Sequence, residues 1–248
     1  MSIFMRFFHY VFHRFGHQPG NPAGAAALDF SKPAPVILQR RVLPFAALLA
    51  LTLAGAPVGA QNKTGPILVV GDSLSAEYGL RRGTGWVPLL EKQLANENKD
   101  VRVVNASISG DTTSGGRSRL APLLAQHQPR TVVIELGGND ALRGLPLDMT
   151  EKNLLAMTQA AKKAGARVLL LGMQVPPNYG GAYSATFTGL FTRVAKAENV
   201  PLVPFFLKGV ADVDDAAALF QADRIHPNEK AQALMLANVW PELKKLIQ

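Results

Sequence analysis

Ser73 stands where a hydroxyl could act as a nucleophile. It follows an apolar run, Ile67-Leu68-Val69-Val70, and then the pair Gly71-Asp72. The run is short and β-branched, which predicts a buried strand, and Gly71 allows the sharp turn that ends it. A serine hydroxyl attacks only if its proton is removed at the same time. Residues 61–248 offer two histidines for that task, His127 and His226. His127 ends a helical stretch before Gln128-Pro129, where a cation serves the helix C-terminus. His226 lies in Asp223-Arg224-Ile225-His226-Pro227-Asn228. Three residues of chain let the Asp223 carboxylate meet one ring nitrogen while the other faces outward, the arrangement a general base needs.

Nucleophilic attack on a carbonyl also requires donors for the developing oxyanion. Three stretches supply glycine-freed backbone N–H groups or a carboxamide: Gly71-Asp72-Ser73, Asn105-Ala106-Ser107-Ile108-Ser109-Gly110-Asp111 and Gly137-Gly138-Asn139-Asp140. A fourth loop, Pro176-Pro177-Asn178-Tyr179-Gly180-Gly181, follows another strand. Taken singly, each has a structural alternative. Gly-Asp-Ser reads as a turn serine capping the next helix, and Asp-x-x-His as an Asx-type turn leading into one.

The elements that carry these stretches alternate. Strands are predicted at 67–70, 101–105, 131–136, 167–172 and 202–205. Helices are predicted at 86–96, 114–127, 150–164, 182–199 and 228–247, the last interrupted by Pro241. Five strand–helix units imply one α/β domain with a five-stranded parallel sheet covered on both faces, three layers in all. In such sheets ligands bind beyond the C-terminal ends of the strands, where all four loops emerge.

Composition narrows the chemistry. The chain has 248 residues and no cysteine, which excludes a thiol nucleophile, thiolate metal ligands and disulfides. With so few histidines, no metal site is legible, and no cofactor is expected. The formal net charge is +8, and half of it comes from residues 1–60, where Arg6, Arg14, Lys32, Arg40 and Arg41 face only Asp29. The surplus left on residues 61–248 is too small, and too poorly interleaved with aromatics, to suggest nucleic acid.

Residues 40–60 form a separate block. Arg40-Arg41 precedes an apolar run through Leu53, and small residues follow up to Ala60. This is the pattern of a secretory signal peptide, too short to span a bilayer of about 20 apolar residues. It predicts export, to the periplasm, with residues 61–248 as the functional domain. Residues 1–39 read as an N-terminal extension, disordered or preceding the true translation start.

Gly71-Asp72-Ser73-Leu74, Gly110 in Ser-Gly-Asp, Gly137-Gly138-Asn139-Asp140 and Asp223-x-x-His226 stand in the order of the SGNH, or GDSL, hydrolases, and the chain resembles that family along 65–248. Longer runs, such as Asn105–Thr112, Glu135–Asp140, Pro204-Phe205-Phe206 and Ile225–Asn228, resemble its bacterial periplasmic thioesterase/lysophospholipase/arylesterase branch in particular. The resemblance implies a flavodoxin-like SGNH fold. It implies a serine esterase or thioesterase acting on aryl esters, acyl-CoA or lysophospholipids. Ser73 would be the nucleophile, His226 the general base and then acid, and Asp223 its orienting carboxylate. The N–H groups of Ser73 and Gly110 and the Asn139 amide would form the oxyanion hole. Glu77, Gly79 and Arg224 depart from that branch beside the site.

Further expectations concern the surroundings. Asp72 should hold the Ser73 turn through backbone N–H groups. Glu135, costly to bury alone, should pair with Arg117 or Arg119. Asp111 and Asp140 should brace loops. Leu142, Leu145 and Tyr179 are candidates for an acyl groove. The partner is a small-molecule ester or thioester, with transient contact with membrane lipid and a monomeric state. Two other functions fit the same residues: a carbohydrate or peptidoglycan O-acetylesterase, and a non-catalytic periplasmic acyl-binding protein.

Overall fold

The computed structural model describes residues 64–97 and 99–248. The signal-like segment at 40–60 and the extension at 1–39 lie outside them. Five strands form one sheet: β1 (Ile67–Gly71), β2 (Val103–Asn105), β3 (Thr131–Glu135), β4 (Arg167–Leu171) and β5 (Leu202–Val203). Their order is β2-β1-β3-β4-β5 and all pairs are parallel. Every residue of β1 and β3 is buried, as expected of inner parallel strands covered on both faces.

The helices among the described residues are α1 (Trp86–Asn96), α2 (Thr113–His127), α3 (Gly138–Leu142), α4 (Leu147–Lys163), α5 (Gly181–Glu198) and α6 (Gln232–Leu246). Helix α1 packs with α6, and α4 packs with both α2 and α5, giving a helical layer on each side of the sheet. In α1, Trp86, Val87, Leu90 and Leu94 form the buried stripe that a period of 3.6 residues dictates. Trp86 meets Phe206 edge-on with ring centroids 5.6 Å apart.

From β1 the chain steps outward to β2, then crosses back past β1 to β3. That reversal opens the crevice in which doubly wound folds bind ligands. The loops after β1 and β3 flank it, and they carry Ser73 and Asn139.

Several boundaries differ from the sequence reading. Strand β2 starts at Val103, because Val101 turns back to bond the Lys99 carbonyl at 2.9 Å. Helix α4 starts at Leu147 rather than Thr150. Thr150, read as its opening residue, instead turns its hydroxyl to Asp140 Oδ1 at 3.2 Å, inside the core. The segment at 138–142, read as open loop, makes the short helix α3, too brief to show a period. Pro241 does not interrupt the last helix. One helix, Gln232–Leu246, runs through it after a 3-10 turn at Glu229–Ala231, held by buried Met235, Leu236, Val239 and Leu243. Burial of that stripe outweighs the one backbone bond a proline removes.

Candidate active site

The chain leaves β1 and tightens at once into a turn. The Asp72 carbonyl accepts from Ser75 N at 3.2 Å and from Ala76 N at 2.9 Å, and Asp72 Oδ1 accepts from Leu74 N at 3.0 Å. Asp72 thus holds the turn from both its main chain and its side chain, as expected, and Ser73 projects from it.

The second half of the site comes from the loop before α6. His226 Nε2 lies 2.9 Å from Ser73 Oγ, across 153 positions of sequence. His226 Nδ1 lies 2.7 Å from Asp223 Oδ2. The other oxygen, Asp223 Oδ1, accepts from Ile225 N at 2.9 Å and His226 N at 3.0 Å. The tight loop requires a left-handed backbone at Arg224, with φ +57°. The hydrogen bond from the His226 ring, reinforced by the two backbone N–H groups, holds the Asp223 carboxyl down to about 2. An ionised Asp223 can only accept, so Nδ1 carries the ring proton and Nε2 is left to accept from the Ser73 hydroxyl.

Donors stand on three loops. Gly110, with φ +77°, occupies a backbone region that side chains disfavour. Arg143 donates to its carbonyl from Nη2 at 2.7 Å, fixing that peptide. Asn139 donates from Nδ2 to Asp72 Oδ2 at 3.0 Å, which leaves the second hydrogen of that amide available. Among the described residues, neither the Ser73 N–H nor the Gly110 N–H has an acceptor.

Braces behave as their chemistry requires. Asp140 is fully buried and accepts from Thr113 N at 2.9 Å, Thr113 Oγ1 at 2.5 Å and Thr150 Oγ1 at 3.2 Å, pinning α3 between α2 and α4. Asp111 pairs with Arg119 at 2.7 Å. Glu135 corrects the sequence reading, for it has no arginine. Arg119 is spent on Asp111 and on the carbonyls of Ala106 and Gly71, and Arg117 on Asn153. Instead Glu135 Oε2 accepts from Ser75 Oγ at 2.7 Å and Asp72 N at 3.3 Å. Ser75 Oγ in turn accepts from Trp86 Nε1 at 3.1 Å. Burial pushes the Glu135 carboxyl well above its ordinary range, and pushes the neighbouring Asp72 up to about 6.

Three residues at the site were not singled out from sequence. The Tyr78 ring lies 4.4 Å from the His226 ring, centroid to centroid. Gln221 donates from Nε2 to the Tyr78 carbonyl at 2.8 Å and to the Pro227 carbonyl at 3.2 Å. Gly79 (φ +68°) leaves room for it, since a Cβ there would fall 2.0 Å from Gln221 Oε1. Arg143 is the third. Their closeness in sequence to Ser73, His226 and Asn139 is the one signal that could have drawn attention to them. Of the acyl-groove candidates, Leu142 is exposed at the end of α3, Leu145 is half-buried, and Tyr179 lies against Tyr183 with ring centroids 5.9 Å apart. His127 closes the last turn of α2. Among the described residues no group of three or more His, Cys, Asp or Glu side chains is arranged to hold a metal ion.

The model of a family described as the GDSL-like lipase/acylhydrolase family matches residues 69–234. Esterase TesA of Pseudomonas aeruginosa is 52% identical over 207 residues, 84% of this chain and 100% of that protein. Thioesterase 1/protease 1/lysophospholipase L1 of Escherichia coli is 40% identical over 205 residues, 83% of this chain and 93% of that protein. A crystal structure of TesA superposes with a TM-score of 0.70 at 55% identity, covering 73% of this chain and 99% of that one. A crystal structure of the psychrotrophic esterase EstA from Pseudoalteromonas sp., inhibited by monoethylphosphonate, has a TM-score of 0.68 at 42% identity and covers 73% and 97% of the two chains.

Proposed function

This chain belongs to the GDSL-like lipase/acylhydrolase family and is a carboxylic ester hydrolase, and from that premise we propose that Ser73, His226 and Asp223 carry its catalysis, with Ser73 N, Gly110 N and Asn139 Nδ2 as the oxyanion donors. His226 Nε2 takes the Ser73 proton as Oγ attacks the acyl carbonyl. Negative charge on the carbonyl oxygen is met by the three N–H donors. As the tetrahedral species collapses, the proton on Nε2 passes to the departing alcohol or thiol. Water then attacks the acyl-enzyme and gives its proton to Nε2, which passes it to Ser73 Oγ as the acid is released. Asp223 stays ionised throughout and stabilises the imidazolium. Esters and thioesters suit this machinery better than amides, whose nitrogen needs fuller protonation to leave.

The observation that supports this reading most is the pair of contacts on one ring: 2.9 Å from Nε2 to Ser73 Oγ and 2.7 Å from Nδ1 to Asp223. The inhibition of EstA by a phosphonate, whose tetrahedral phosphorus imitates the species formed when a hydroxyl attacks a carbonyl, agrees with it. The substrates in this reading are aryl esters, acyl thioesters and lysophospholipids, with Leu142, Leu145 and Tyr179 along the acyl chain. Exposed Tyr78, Ile108, Leu142 and Ile225, on the segments that carry the site, would make transient contact with lipid. One polypeptide supplies every residue of the site, which suits a monomer. The reading includes a signal peptide at 40–60 directing residues 61–248 to the periplasm, preceded by an extension at 1–39. No helix of the described residues is long and apolar enough to cross a membrane.

A fluorophosphonate probe followed by peptide mass spectrometry tests the proposal. The adduct is expected on Ser73 and should vanish in Ser73→Ala. An adduct on Ser75 or Ser107, or none on a folded chain that still hydrolyses p-nitrophenyl esters, would overturn it.

A further inference from the structure

Two acidic side chains lie under the site and take no step in the reaction. Asp72 is 2% exposed and Glu135 is fully buried. Asp72 N donates to Glu135 Oε2 at 3.3 Å, so the two buried carboxyl groups are neighbours, and two negative charges so close without water repel unless one carboxyl keeps its proton. The donors around them say where that proton resides. Both oxygens of Asp72 already accept, Oδ1 from Leu74 N and Oδ2 from Asn139 Nδ2, each at 3.0 Å. Glu135 Oε2 accepts from Ser75 Oγ and from Asp72 N. Glu135 Oε1 is buried and receives no donor among the described residues. A carboxylate oxygen stranded in this way is costly, whereas a carboxyl O–H in the same place is a donor and needs none.

We propose that Glu135 is a positioning residue: its carboxyl stays protonated at neutral pH, donates to the ionised Asp72 carboxylate, and so keeps Asp72 an acceptor that locks the orientation of the Asn139 amide. The consequence follows from the two faces of an amide. With Asp72 ionised, only an N–H of Asn139 can face it, and the second N–H is directed to the substrate side. Were the proton on Asp72, its O–H could meet the Asn139 carbonyl oxygen instead, and a flipped amide would offer the wrong group to an oxyanion. Two further groups face the pair. The Arg119 guanidinium is compensated by Asp111 and bonds the Gly71 carbonyl, and His226 acts on Asp72 through space. Burial, which raises both acids, agrees with a single negative charge shared by the two.

This inference rests on Asn139 serving the oxyanion, and its test separates the two ideas. Infrared difference spectra of the folded chain at neutral pH should show the C=O stretch of a protonated carboxyl, absent in Glu135→Gln. That band is indifferent to whether the chain hydrolyses anything, so it stands even if Ser73 proves not to be the nucleophile. No band, or one that survives Glu135→Gln, would overturn the assignment. Kinetics test the link to Asn139. Glu135→Ala should lower kcat about tenfold or more with KM little changed, part of the loss expected for an oxyanion donor. Glu135→Gln, whose amide N–H can replace the carboxyl O–H, should recover most of that loss. A Gln variant that melts like the parent but is as slow as Ala would sink the positioning role. If Ala does not fold, Glu135→Gln against the parent carries the same decision.

Discussion

Gln221 donates its side-chain amide to the main-chain carbonyl of Tyr78 at 2.8 Å, joining segments 143 positions apart. The same amide nitrogen reaches the Pro227 carbonyl at 3.2 Å, and the Gln221 N–H bonds the His226 carbonyl at 2.8 Å. One residue therefore ties the loop bearing Ser73 to the loop bearing His226. Near it, Phe220 and Pro227 form an antiparallel bridge, and Asn228 Nδ2 closes the same loop onto the carbonyls of Ala218 and Phe220. This cross-brace spans the two segments whose hydroxyl and imidazole meet at 2.9 Å.

Gln221→Ala should accordingly loosen that contact without touching the reacting groups. Displacements of about 1 Å can cost up to about 10²-fold in rate, so kcat on a p-nitrophenyl ester should fall by about tenfold or more while KM changes little. Steady-state kinetics beside a thermal melt check it. A normal kcat in a folded variant would show that the brace does not set the distance.

Asn139→Ala removes a proposed oxyanion donor and also the partner of Asp72 Oδ2. The first loss predicts a fall in kcat of roughly 10²–10³. The second predicts a loss of about 1–3 kcal/mol of stability from a buried acceptor left unmatched. Measuring kcat and denaturant midpoints on one preparation separates the two. A destabilised variant with full kcat would remove Asn139 from the chemistry while keeping it as a brace.

Asp223 should titrate about 2, because the His226 ring and two backbone N–H groups favour its charged form. Its folded value is depressed, so its contribution to stability is present above the unfolded value of about 3.9 and is lost as pH falls through about 2. Carboxyl carbon shifts followed by NMR measure the midpoint. In His226→Ala, with the largest cause gone, it should climb toward the ordinary value. An unmoved midpoint would mean that the backbone donors alone hold it.

Glu135 has the opposite sign. Its folded value is raised by burial, so its contribution to stability is present below the unfolded value of about 4.3 and is lost as pH rises from there through the folded value. Glu135→Gln titrates nowhere. Its Tm relative to the parent should therefore improve from pH 5 to pH 8, a comparison that thermal melts at the two pH values make directly. A difference independent of pH would contradict the raised value.

Local pattern carries much of what was legible in this chain. The apolar run before Gly71 gives a buried strand and α1 gives an apolar stripe because both depend on residues a few positions apart. The approach of Asp223 to His226 has the same origin, being a contact over three residues. Where signals are shorter than a period the boundaries slip: α3 spans five residues and leaves no repeat to read, and Pro241 suggests a break that packing overrides.

What sequence alone determined here is the alternation of strands and helices and the order of the polar loops between them, since hydrophobic period and turn chemistry are local properties. Tertiary structure decided who meets whom. Strand order brought Glu135 beside Asp72 and Ser75, and Arg119 turned to Asp111, though the cost of burying Glu135 alone had suggested an arginine partner for it. It set Tyr78 against His226 and Gln221 across the two loops. Such choices turn on burial and on competition among donors in three dimensions, and neither quantity exists until the sheet has brought distant segments together.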